Sequence, residues 1–215
     1  MAGRPTARIE VEGLTLASAA GDILVNDVDL AVSSGEIVAL VGESGSGKSL
    51  TALAILGLLP RGIMWRGGSV RLNGTDVTGL TGPHASIRGR QIAAIFQDPQ
   101  ASLDPRWTVG RYLTGQFRRY GATSQRAAWA AAVDMLARVG LGDPARILGA
   151  FPHELSGGMA QRVMIAGALA AGPQFLIADE PTTALDVTTQ AQILDLLEDL
   201  QADTGLGVLL ITHDL

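Results

Sequence analysis

The amino-acid sequence predicts an α/β fold in three parts: a core of parallel strands, an N-terminal antiparallel β subdomain, and a helical subdomain inserted into the chain. Three observations lead there. The continuous apolar run Ile37–Val41 passes through a glycine-rich loop directly into a helical pattern, the order of a strand buried on both faces, a turn and a helix. From about 101 to 171 the spacing is helical, and six of the nine aromatic residues fall there: Trp107, Tyr112, Phe117, Tyr120, Trp129 and Phe151. That concentration predicts a subdomain with its own small core. The α/β pattern then resumes to the last residue. The expected boundaries are about 1–100 and 172–215 for the β subdomain and core, and about 101–171 for the insertion.

The elements follow in order. Ile9, Val11, Leu14 and Leu16 alternate loosely and Val28, Leu30 and Val32 alternate cleanly, so the first forty residues read as strands. Ser34-Gly35 makes a turn before Ile37–Val41. Residues 49–58 read as a helix stopped by Pro60, followed by short strands at 69–72 and 92–96. Helical segments at 109–119, 124–139 and 157–171 are broken at Gly121, Gly140 and Pro152. Residues 175–178 form a strand, 187–201 a helix and 208–212 a strand. In that last helix Ile193, Leu196, Leu197 and Leu200 recur at i, i+3, i+4 and i+7, which marks one buried face.

Composition removes several classes of function. Apolar residues make up 47% and charged residues 17%, which supports a core and argues against disorder. A net charge of −5 argues against a nucleic-acid coat, and the absence of cysteine excludes disulfides, zinc ribbons and iron–sulfur clusters. Residues 1–8 carry no signal-like apolar stretch, and no apolar run is long enough to span a bilayer. The expectation is a soluble chain whose membrane role, if it has one, comes through a partner.

Gly42-Glu43-Ser44-Gly45-Ser46-Gly47-Lys48-Ser49 satisfies G-x-x-x-x-G-K-[ST] and Leu50 continues it into the helix. Glycines let backbone N–H groups curl around a phosphate, and the helix N-terminus adds its positive dipole end. Lys48 is the chain's one lysine, beside fifteen arginines; a compact ammonium suits phosphate oxygens. Ser49 supplies a hydroxyl for Mg²⁺. The strand 175–178 ends in Asp179-Glu180. Taken alone that is an ordinary exposed turn; behind a phosphate loop it places Asp179 at the metal and Glu180 as a base for the attacking water.

Leu155-Ser156-Gly157-Gly158-Met159-Ala160-Gln161 reads locally as a helix cap and first turn. Together with the two motifs above it resembles the LSGGQ signature of ABC ATPases, with Met-Ala before the glutamine. The remaining elements of that family occur in order: Gln97 after the strand ending at Phe96 resembles the Q-loop glutamine, Ala184-Leu185-Asp186 the D-loop, and His213 the switch histidine. The segments from Phe96 to Pro105, from His153 to Arg162 and from Glu180 to Ile193 resemble the oligopeptide/dipeptide/nickel branch of bacterial importers.

The resemblance implies a P-loop NTPase core of the RecA-like kind. It implies ATP and Mg²⁺ as cofactors, with Lys48, Gln97, Glu180 and His213 catalytic and Ser49, Gln97 and Asp179 around the metal. Nucleotide contacts come from residues 42–50 of one subunit and from Ser156, Gly157, Gly158, Gln161 and Asp186 of another. The implied partners are a second ATPase subunit, transmembrane permeases and, indirectly, an extracytoplasmic solute-binding protein, at the cytoplasmic face of the cell membrane. No nucleic acid is implied. A soluble ABC ATPase acting on nucleic acid or ribosomes is the other class, but its expected marks (zinc cysteines, coiled-coil insertions, basic linkers) are missing from this sequence.

Two departures stand out. The family's adenine-stacking aromatic has no counterpart near Leu16-Ala-Ser-Ala-Ala20, and the chain ends at Leu215, short of the family domain's C-terminal part. Leu103, Trp107 and Val109, in the proline-stiffened loop after Gln97, are expected to offer apolar surface to a permease.

Overall fold

A computed structural model describes residues 7–213 except 81 and 184. Two four-stranded sheets organise it. The first is antiparallel, in the order β2-β1-β4-β5, and comprises β1 (Arg8–Ser18), β2 (Ile23–Ser33), β4 (Ile63–Leu72) and β5 (Thr75–Asp76). Val11 sits between Leu30 and Val70 in the register. The second is parallel, in the order β3-β8-β7-β6, and comprises β3 (Ile37–Val41), β6 (Ile92–Ile95), β7 (Phe175–Asp179) and β8 (Gly207–Thr212).

The helices are α1 (Lys48–Ile55), α2 (Pro99–Ser102), α3 (Val109–Tyr120), α4 (Gln125–Arg138), α5 (Pro144–Gly149), α6 (Gly157–Ala168) and α7 (Val187–Thr204). Side chains cap most of them in sequence-legible fashion. Asp98, Thr108, Ser124, Ser156 and Asp186 each accept a hydrogen bond from the backbone N–H three residues on, at 2.9–3.3 Å, answering first-turn donors that have no partner inside the helix.

The parallel sheet divides two cores by its alternation. Ile92, Phe175, Ile177, Leu209 and Ile211 face the antiparallel sheet and α1. Ala93, Ile95, Leu176, Ala178, Val208 and Leu210 face α6, α7 and the inserted helices. The predicted face of α7 is confirmed: Ile193, Leu196, Leu197 and Leu200 are all buried, each contributing about 1.5–3 kcal/mol by leaving water.

Three expectations require correction. Ile37–Val41 is a strand but is only partly buried, because β3 is an edge and the central β7 carries the fully buried run. The inserted helices have no separate core: their aliphatic residues are continuous with one face of the parallel sheet. Of their aromatics Trp107, Trp129 and Phe151 are exposed, while Tyr112 and Phe117 pack against that shared core. Finally, Leu103 and Val109 lie in the interior at 3% and 1% exposure, so of the three residues expected to face a permease only Trp107 reaches the surface.

Candidate functional site

The loop between β3 and α1 takes its shape from glycine. Gly45 and Gly47 have φ of 83° and 95°, in the left-handed region that side chains avoid. A Cβ on Gly47 would stand 2.9 Å from both the Leu24 carbonyl oxygen and Val25 Cγ2, so backbone and strand approach as closely as only glycine permits. Gly47 is also the N-cap of α1 and offers no side-chain acceptor. The first-turn N–H groups of the helix are thereby left for an external anion. Lys48 is buried, and its Nζ donates to the carbonyl oxygens of Gly42 and Glu43 at 2.6 and 2.8 Å.

Two groups separated by 130 residues in sequence meet beside the loop. Ser49 Oγ donates to Asp179 Oδ1 at 3.0 Å. Asp179 closes β7, next to β8 in the sheet centre. Burial pushes its carboxyl above the ordinary value, opposed by the Ser49 hydrogen bond, and the neighbouring Glu180 charge pushes it further up. A hydroxyl and one buried carboxylate suit a hard cation that keeps water and phosphate oxygens as its other ligands. Among the described residues no cluster of three or more His, Asp or Glu could cage an ion by itself.

Glu180 adopts φ 47°, a conformation a non-glycine residue holds only under constraint. Its N–H donates to the Ile211 carbonyl at 2.9 Å, and the Thr183 hydroxyl donates to its Oε2 at 2.9 Å. His213 Nδ1 lies 3.9 Å from the same oxygen. Glu180, Gln97, residues 44–50, Ile23 and Leu24 line one open cleft of about 440 Å³. Thus the phosphate loop, the acidic pair and Gln97 expected from the sequence converge, with His213 reaching Glu180 from the end of β8.

Sequence reading missed Thr183 and the Ile23–Leu24 shelf. Thr183 was visible only as part of a Glu-Pro-Thr-Thr string. Ile23, an exposed aliphatic at 55%, follows a Gly-Asp turn and has no signal of its own. Among the described residues no aromatic lines the cleft.

The signature segment stands outside this cleft. Ser156 caps α6, and the two glycines after it permit close helix–helix approach: a Cβ on Gly157 would meet Leu185 Cδ2 at 3.0 Å, and one on Gly158 would meet Thr189 Cγ2 at 2.5 Å. Thr189 belongs to the first turn of α7, whose N-cap is Asp186, so the two helix N-termini lie together. Ala184, the first residue of the expected D-loop, is outside the described residues. Gln161 departs from expectation. It is fully buried, and among the described residues neither amide atom has a hydrogen-bond partner. The reason is its packing: Gln161 lies on the inner side of α6 beside the buried Ala160, Met164 and Ile165, so its amide is not presented to a ligand.

A family model described as ABC transporter matches residues 25–183. The chain is similar to the oligopeptide transport ATP-binding protein AppD of Bacillus subtilis, 48% identical over 193 residues covering 89% of this chain and 59% of that protein. It is similar in fold to cbiO1 from Clostridium perfringens, part of the ABC transporter complex cbiONQ, with TM-score 0.83, 25% identity, and coverage of 96% of this chain and 78% of that one. It also resembles the ATP-binding cassette MJ0796, seen as a dimer in a post-hydrolysis state bound to ADP and Pi, with TM-score 0.80, 31% identity, and coverage of 96% and 88%. The chain spans less than two thirds of the length of the curated relatives it matches, 64% and 59% in two of them.

Proposed function

The chain belongs to the ABC transporter family, and on that premise we propose that it is the ATP-binding and ATP-hydrolysing motor of a peptide importer, working as a head-to-tail dimer against membrane permeases at the cytoplasmic face. One observation supports the reading above others: the Ser49–Asp179 hydrogen bond joins a hydroxyl and a carboxylate beside the phosphate loop, with Glu180 lining the same cleft. Relatives named for oligopeptide transport favour peptides over nickel as cargo.

Each residue then has a task. The first-turn amides of α1 and Lys48 take the β- and γ-phosphate oxygens, Lys48 exchanging its two carbonyl partners for them. Ser49 and Asp179, with Gln97 nearby, would hold Mg²⁺, which neutralises phosphate charge when bound. Glu180 accepts the proton of the attacking water, oriented by the Thr183 hydroxyl, and His213 stands beside it. Ile23 and Leu24 give the base an aliphatic surface. The helix N-termini at Ser156 and Asp186 lie apart from this cleft, and their positive ends suit the γ-phosphate held by a second subunit. The parallel between this division and the dimeric MJ0796 supports the sandwich.

For the permease contact, the burial of Leu103 and Val109 shifts attention to a hollow of about 270 Å³ between β6 and the inserted helices, lined by Phe96, Tyr112, Gln116 and Met164 among others. It adjoins Gln97 in sequence, and an inserted permease segment there would feel movement of the Gln97 loop. The direct test is co-purification of the full-length subunit with its permeases, followed by measurement of ATP turnover and peptide uptake. Turnover that depends on Mg²⁺ and supports uptake is expected. Wild-type protein that binds no ATP would overturn the reading.

A further inference from the structure

On the other face of α3 from that hollow lies a second groove of about 450 Å³, between α3 and the start of α4. Its walls are Trp107 and Trp129, and Arg111 and Arg118 stand along it. These two are the only tryptophans of the inserted helices. They are 38% and 44% exposed, and both line the recess. The Arg111 guanidinium stacks on Trp107 at 4.4 Å from the ring centroid, which leaves its edge N–H groups directed to solvent. Among the described residues no carboxylate forms an ion pair with Arg111 or Arg118; Asp104, the closest acidic group in sequence, is held by Arg106 at 2.7 Å. That bond and the Arg106 backbone N–H bring the Asp104 carboxyl down to about 2, with the Arg111 charge adding a smaller attraction from a distance.

The charge pattern is uneven along the chain. Between Asp104 and Asp134 there are five arginines and no acidic residue, in a protein of net charge −5. The floor is also distinctive. Gly115 sits mid-helix on the groove, where a Cβ would meet nothing within 4 Å. Glycine there costs helix stability without any packing need inside this chain, and it keeps the groove open.

We propose that this groove docks an acidic peptide segment of a partner protein, with an apolar side chain seated between Trp107 and Trp129 and flanking carboxylates paired to Arg111 and Arg118. The recessed tryptophans favour a segment over a flat lipid surface, which would want aromatic rings standing proud. The free bidentate edges of the guanidinium groups match carboxylates in number and geometry. The site is separate from the nucleotide cleft and does not depend on its function.

The test uses the full-length protein and an immobilised library of short peptides that alternate Asp or Glu with Leu, Val or Phe, beside a control library with Lys in place of the acids. Wild type should be retained on the acidic library alone, and retention should weaken with salt. Gly115→Leu, which fills the groove without altering charge, and the double variant Arg111→Gln with Arg118→Gln should each lose roughly tenfold or more in affinity, as for other Trp and Arg anchors. Helical circular dichroism and ATP binding should stay at wild-type levels. Equal retention of wild type and Gly115→Leu, or no retention of wild type, overturns the proposal. Binding to phosphatidylglycerol vesicles that is lost in the same variants, with the acidic library not retained, would overturn it in favour of a lipid surface.

Discussion

Lys48 shows how one side chain joins fold to chemistry. Its ammonium is buried and donates to two carbonyls of its own loop, so a bound phosphate would exchange neutral acceptors for charged ones. Lys48→Ala is expected to weaken ATP binding by about 1.5–3 kcal/mol, the worth of a charge-assisted hydrogen bond. Calorimetric titration of both proteins at matched Mg²⁺ checks this, and equal affinities would remove the loop from nucleotide binding. The aliphatic shelf at Ile23 and Leu24 leads to a second expectation, weak discrimination between ATP and GTP in competition binding. A strong preference for ATP would place a stacking group outside this chain. At Asp179 the sign of a pH effect follows from burial, which raises its carboxyl above 3.8. The nucleotide-free domain should therefore lose stability as pH rises from 3.8 through the raised value, because the folded state holds the proton more tightly. Stabilisation by Mg²⁺ and ATP should run the other way and fade on acidification. Thermal melts with and without ligand across that range compare the two, and Asp179→Asn should abolish the difference in slope.

At the scale of elements, α6 and α7 are coupled through glycine. Gly158→Ala places a methyl 2.5 Å from Thr189 Cγ2, and overpacking of this kind costs about 1–3 kcal/mol. Adding Thr189→Ser removes that methyl and should recover much of the loss in a melting experiment; no recovery would mean the helices do not meet there. Further along α6, the unpaired Gln161 amide invites replacement by Leu, which removes two buried unsatisfied polar atoms at similar shape. Such an exchange is neutral or stabilising, so Gln161→Leu should melt no lower than wild type. The elements also mark what was legible beforehand. The periodicity of α7 and the apolar run of β7 were readable because burial on one face, or both, writes itself into residue spacing. Edge position did not show in Ile37–Val41, since exposure of an edge depends on which strand pairs beside it. The aromatics of the inserted helices misled for a related reason: type alone does not say whether a ring fills the core or lines a surface groove. Gln161 was misplaced because the motif string carries no helical phase, and one step of 100° turns a polar side chain from interface to core.

Across the whole molecule, the parallel sheet brings Ser49, Asp179, Glu180 and His213 to the same end, while the inserted helices extend one of its two cores outward. Because Leu103 belongs to that shared core, Leu103→Asp is expected to destabilise the domain and lower ATP binding together, whereas Trp107→Asp should leave both intact. The motor reading finally rests on Glu180, held at φ 47° and oriented by Thr183. The decisive measurement is ATP turnover by full-length Glu180→Gln beside its ATP affinity. The account predicts wild-type affinity, turnover reduced by about 10²–10⁴ as for loss of a general base, and an ATP-bound dimer that accumulates on size exclusion. Hydrolysis at the wild-type rate by this variant would contradict it and place the base elsewhere.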